Sequence, residues 1–156
     1  MGIYPKGIQF ECGKLPVQAR QSKNGGGTIR ETYSWKLKEA TPIEAVHLAR
    51  HAVAVAEDKQ AQDIVMLDLR NVTTIADYFV ICTAESERQL RTVVSSIDEA
   101  MTKTGARNPR IEGSFESGWV LIDFSDVIVH VFAPEQREFY RLERLWKDAP
   151  PVVVVQ

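Results

Sequence analysis

At 156 residues, 44% hydrophobic and 26% charged, the chain is long enough for one domain with a hydrophobic core and has the composition of a soluble globular protein. No apolar run approaches a bilayer span and no charged-then-apolar leader opens the sequence, so an intracellular protein is expected. The net charge of −2 is unevenly spread: residues 1–40 carry seven Lys/Arg against three Asp/Glu, and residues 41–156 carry twelve against eighteen.

Residues 1–40 show no sustained period. Gln21 to Thr28, "QSKNGGGT", is linker chemistry, and "IQFECGKLPVQ" has no partner to complete a sheet. A flexible N-terminal extension or tag-like segment is expected. Its basic charge would suit a transit peptide, but it contains three acidic residues and lacks an amphipathic Arg-rich helix. Cys12 lies here and Cys82 in an apolar run. Without a C-x-x-C spacing they read as incidental and as buried and structural, respectively.

Order is expected from Thr41. Thr41 as cap, Pro42 at the first helical position and Glu44 as the closing carboxylate form a capping box. Apolar positions 46, 49, 53 and 56 then mark a helical face ending near Asp58–Lys59. Asp63–Leu69 and Tyr78–Thr83 read as buried strands joined by a turn-rich connection. Ser86 with Gln89 opens a second helix, whose stripe runs through Leu90, Val93, Val94, Ile97 and Met101 to a stop at Gly105. Pro109–Gly113 reads as an edge strand. Trp119–Phe124 and Val127–Phe132 read as a hairpin with Ser125-Asp126 at its tip. A last helix from Pro134 is expected to carry Phe139, Leu142, Leu145 and Trp146 on one stripe, followed by a tail over 150–156. The order α-β-β-α-β-β-β-α predicts an α/β (α+β) fold, a single mixed sheet of about five strands flanked by helices.

The strand-to-helix corner "TAESERQ" has no glycine to let a phosphate approach. It places Glu85 and Glu87 where an anion would sit, so it reads as self-capped. The hairpin is richer. Pairing Phe124 with Val127 puts Val120, Ile122, Phe124, Val127, Val129 and Val131 on one wholly apolar face. The other face then carries Trp119, Leu121, Asp123, Ile128, His130 and Phe132. Trp119 stands opposite Phe132, Leu121 opposite His130, and Asp123 diagonal to His130. An Asp123–His130 pair would need a nucleophile to be catalytic, and no G-x-S-x-G is present. Asp123 and Asp126 resemble paired metal carboxylates but lack a third ligand, and His47 and His51 lack a further zinc ligand. A face with tryptophan, leucine, aspartate and histidine fits either a protein interface or a surface covered by a helix. The acidic body suits a basic protein partner and argues against direct, sequence-specific nucleic-acid binding.

Three blocks in order, "QDIVMLDLRNVTTIADYFVICT…SERQ", "RIEG…GWVLIDFSDVIVHVF" and "REFYRLERLW", resemble the ribosomal silencing factor family, also called Iojap or RsfS. The resemblance covers residues 42 to 149. It departs at Ala84, where the family often has glycine. It implies a nucleotidyltransferase-like topology without the nucleotide-transfer signature, and a translation factor that is not an enzyme and needs no cofactor. It further implies binding to the large, 50S-type ribosomal subunit at its protein fourteen, which blocks joining of the small subunit. The factor would be cytoplasmic in bacteria and organellar in a eukaryotic member, with no membrane partner, and a homodimer when free. Its contacts carry over to Trp119, Leu121 and Asp123, with Glu112, Asp126 and His130 around them. Tyr140 and Glu143 lie on the last helix, beside a Trp146 that fits surface or core. The rival is a degenerate nucleotidyltransferase-like or hydrolytic enzyme using Asp123, Asp126 and His130.

Overall fold

The computed structural model describes residues 44–106 and 108–156. The expectations for residues 1–40, Cys12 and the Thr41–Pro42 helix opening lie outside these residues. The elements are α1 (Ala45–Asp58), β1 (Gln62–Asp68), β2 (Tyr78–Thr83), α2 (Glu87–Lys103), β3 (Arg110–Ser114), β4 (Trp119–Asp123), β5 (Val127–Phe132), α3 (Pro134–Tyr140), α4 (Leu142–Leu145) and β6 (Pro151–Val155).

The six strands form one sheet in the order β3-β4-β5-β2-β1-β6. Only the central pair, β2 with β5, is parallel; the other neighbours are antiparallel. Both central strands are buried along their whole length, which explains why "YFVICT" and "VIVHVF" read as runs rather than alternations. The hairpin register is the expected one, with Trp119 opposite Phe132 and Leu121 opposite His130. At the tip Ser125 takes a positive φ of 74°, supported by Asp123 Oδ1, which accepts its N–H at 2.7 Å.

One face of the sheet is closed by α1 and α2, which pack side by side. Leu48, Ala49, Ala52, Val53 and Ala56 from α1 and Leu90, Val93, Val94, Ile97 and Met101 from α2 meet Val120, Ile122, Phe124, Val129 and Val131 from the hairpin. Cys82 is sealed in this core, and burial pushes its thiol up to about 12. The other face holds a smaller core: Leu67, Leu69, Phe79, Ile81, Ile128 and Phe132, with Leu142 and Trp146 packed against it.

Three expectations are corrected. Glu44 occupies the N-cap position of α1 without a side-chain cap bond, so it does not close a capping box inside the helix. Residues 150–156 are not a free tail: Pro151–Val155 pairs antiparallel with β1 as a sixth strand. Val153 and Val155 turn into the first core, while Val152 and Val154 stay exposed. The last helix is broken at Arg141, which adopts left-handed φ 44°, ψ 53°. The expected stripe is therefore split. Leu142 and Trp146 pack down, and Phe139 and Leu145 stand 81% and 74% exposed.

Candidate protein-docking site

The strand-to-helix corner is closed to ligands. Ser86 Oγ accepts the Gln89 N–H at 3.2 Å and Gln89 Oε1 accepts the Glu85 N–H at 2.8 Å. The Gln89 amide then donates to the carbonyls of Lys59 and Gln60, tying the corner to the end of α1. The helix end is satisfied by its own side chains, as the capping-box spacing requires.

The polar hairpin face is different. Trp119 stacks on Phe132 at 5.0 Å and meets Tyr140 of α3 at 4.6 Å. Its indole Nε1 donates to His130 Nδ1 at 3.4 Å. That bond puts the neutral imidazole's proton on Nε2. His130 is 4% exposed, and its ring stands edge to face with Phe79 at 4.8 Å. Burial among these rings lowers its pKa to about 4, so it is neutral at physiological pH.

Above this layer lies a groove of about 250 Å³, lined by Glu112, Gly113, Ser117, Trp119, Leu121 and Tyr140. Its walls are mainly apolar, with Glu112 half in solvent at the edge. Gly113 is a structural necessity there. It sits at φ 97°, and a Cβ would stand 2.3 Å from the Trp119 carbonyl oxygen. Beside the groove, Phe139 and the half-exposed Tyr140 present a further aromatic surface.

The eight residues expected at the site separate into two groups. Glu112, Trp119, Leu121 and Tyr140 meet in the groove. Asp123 follows Leu121 on the same strand face, but its carboxylate is engaged at the turn. Asp126 is at the hairpin tip, where its carbonyl accepts from the Asp77 and Tyr78 N–H groups. His130 lies beneath Trp119. Glu143 faces a neighbouring cleft and is bound by Arg137. Among the described residues no hydrogen bond or ion pair joins Asp123 or Asp126 to His130, and no group of three or more His, Cys, Asp or Glu converges on a metal position. Gly113, Ser117 and Phe139 were not among the residues expected at the site; the two glycines of "EGSFESG" are the one local signal that could have indicated the first two.

A sequence model described as "Ribosomal silencing factor during starvation" matches residues 42–156. The chain belongs to this family. The ribosomal silencing factor RsfS of Bacillus subtilis strain 168 is 41% identical over 99 residues, 64% of this chain and 84% of that protein. The mouse protein named mitochondrial assembly of ribosomal large subunit protein 1 is 31% identical over 97 residues, 60% of this chain and 42% of its own length. A crystal structure from Bacillus halodurans shares the fold with a TM-score of 0.61 at 35% identity, covering 69% of this chain and 98% of that one. Membership in RsfS carries a ribosome-silencing role. Among the described residues no helix is long and apolar enough to cross a membrane.

Proposed function

We propose that this RsfS chain docks on protein fourteen of the large ribosomal subunit and blocks joining of the small subunit by occupying its place, so repressing translation. The observation that carries this reading is the apolar groove walled by Trp119, Leu121 and Tyr140, with Glu112 at its edge and Phe139 beside it. Aromatic anchors in a concave patch with a charged rim are the anatomy of a protein interface. The mouse relative's name, an assembly protein of the large ribosomal subunit, supports the choice of subunit. A basic ribosomal protein is the electrostatic match for the acidic body.

The action is steric and calls for no cofactor. A catalytic reading of Asp123, Asp126 and His130 has no carboxylate–imidazole contact among the described residues to support it: Asp123 Oδ1 accepts the Ser125 N–H, and His130 Nδ1 accepts the Trp119 indole N–H. The binding unit is residues 41–156, since β6 belongs to the sheet; a chain starting at Thr41 is expected to bind as the full chain does. The free protein is a two-fold homodimer that covers the exposed aromatic surface. The site of action is wherever the ribosome is, in a bacterial cytoplasm or an organelle.

Gradient sedimentation of purified large and small subunits tests the reading. Saturating protein is expected to co-migrate with large subunits and to leave both subunits unjoined. Full joining at saturation overturns it. Light scattering of the free protein tests the dimer, which a monomer mass at micromolar concentration would rule out.

A further inference from the structure

We infer that Arg137 and Glu143 are positioning residues for docking: they lock the left-handed turn at Arg141 and so hold Tyr140 as a wall of the groove, and neither touches the partner. This inference rests on the groove being the docking site.

The latch is well defined. Arg137 Nε and Nη2 both donate to Glu143 Oε1, at 2.9 and 2.6 Å, and Nη1 donates to Thr83 Oγ1 at the end of β2, at 2.8 Å. The Arg137 and Glu143 side chains are 14% and 32% exposed, so water screens the pair weakly. The pair ties both short helices to the sheet.

Arg137 and Glu143 are six positions apart, as are Tyr140 and Trp146. On a straight α-helix, residues six apart point roughly 120° away from each other. Tyr140 nevertheless packs on Trp119 at 4.6 Å while Trp146 packs on Phe79 at 5.5 Å, both on the same side of the sheet. Only the turn at Arg141 reconciles these contacts. A non-glycine residue is unfavourable in that conformation, and Arg141 adopts it with its own guanidinium donating to the Glu138 carbonyl and carboxylate. The Arg137–Glu143 bond exists only when the turn is made, so it stabilises the turn selectively. Glu143 lines a separate cleft with Arg137, Glu138, Arg141 and Arg144, not the groove. Its contribution to docking runs through Tyr140.

The test measures affinity of the full chain for purified large subunits and for isolated protein fourteen. Arg137→Gln and Glu143→Gln are each expected to weaken binding about tenfold, equivalent to about 1.4 kcal/mol. The Trp119 indole N–H resonance should shift in both variants as Tyr140 leaves. Adding Arg141→Gly to Arg137→Gln removes the strain of the left-handed turn. It should restore most of the affinity and return the resonance. Should Arg137→Gln melt below assay temperature, Glu143→Gln, which keeps an acceptor for the guanidinium, carries the same comparison, paired with Arg141→Gly. Loss in Glu143→Gln with wild-type binding in Arg137→Gln would make Glu143 a direct contact and overturn the inference. So would a failure of Arg141→Gly to rescue. Wild-type protein that binds neither target defeats the docking reading, and this inference with it; wild-type binding with indifferent latch variants defeats this inference alone.

Discussion

On one face of the sheet, two helices of 14 and 17 residues bury a continuous layer of aliphatic side chains. On the other, helices of seven and four residues cover part of an aromatic layer and leave Phe139, Tyr140 and Leu145 in solvent. The alternation of β4 serves both faces at once. Val120 and Ile122 enter the aliphatic core, and Trp119 and Leu121 line the groove. On the proposed reading the difference separates two tasks within one strand: the aliphatic face supplies stability, and the aromatic face, left partly uncovered, is offered to a partner.

The largest expected effect tests the first task. Ile97 on α2 is fully buried in the aliphatic core, and Ile97→Ala should lower unfolding free energy by about 3 kcal/mol. Phe139→Ala removes more atoms from an 81% exposed position and should change stability by no more than about 0.5 kcal/mol. Chemical denaturation of the two variants side by side measures this. Equal losses would mean that the second face is a core like the first.

Trp119→Ala addresses the second task. Its ring is half-buried against Phe132, Tyr140 and His130 and also forms a groove wall. The variant should lose about 2 kcal/mol or more of binding to large subunits. Its cost in stability should be smaller than that of Ile97→Ala. If calorimetry finds the larger loss in folding and intact binding in the folded fraction, Trp119 is core and the comparison of faces must be redrawn.

Next is the response to acid. His130 titrates at about 4 when folded against an ordinary 6.5, because the charged form is not solvated among the rings. Between those values the unfolded chain binds the proton and the folded chain does not, so stability falls as pH falls. By about pH 5.5 the loss attributable to this residue should reach about 1.4 kcal/mol. Denaturation midpoints of wild type and His130→Phe at neutral and mildly acid pH isolate it: the variant should lack this component of the slope. Because the imidazole belongs to the aromatic face, acid should loosen that face first. The Trp119 indole resonance should then respond before aliphatic methyl signals do.

The aliphatic half was largely legible in the sequence. Helical spacing at 90, 93, 94, 97 and 101, and the two-residue period of the hairpin, depend on local chemistry that a single chain displays. The aromatic half was legible only where the same rules held. The register that put Trp119 opposite Phe132 was readable. The break at Arg141 was not, because no glycine or proline marks it; the bonds that accompany it, Arg137 to Glu143 and across to Thr83, depend on side-chain geometry and on a strand more than fifty residues upstream. Reading that helix as straight placed Phe139 and Leu145 on the packed stripe, where the turn leaves them exposed. The strand at 151–155 was missed because Pro150 precedes it, Pro151 opens it, and its partner β1 lies over eighty residues upstream. The diagonal placement of Asp123 and His130 was readable from the register, but the bonds each makes were not: Asp123 Oδ1 accepts the Ser125 N–H at the turn and His130 Nδ1 accepts from Trp119.

The smallest effect concerns the groove's edge. Glu112 is exposed, and its only ion-pair neighbour among the described residues, Arg110, stands at 3.9 Å with both side chains mostly in water. A pair of that kind adds little to folding, so Glu112→Lys should leave the melting temperature nearly unchanged. Its role would be to attract a basic partner before contact, a task that falls with ionic strength. The expected signature is a slower association rate at low salt, with dissociation little altered, and convergence of variant and wild type as salt rises. Asp126→Lys is the control, because the hairpin tip lies outside the groove and should matter less. If Asp126→Lys slows association more than Glu112→Lys does, the partner approaches over the hairpin tip, and the recognition surface extends along β4 beyond the aromatic face.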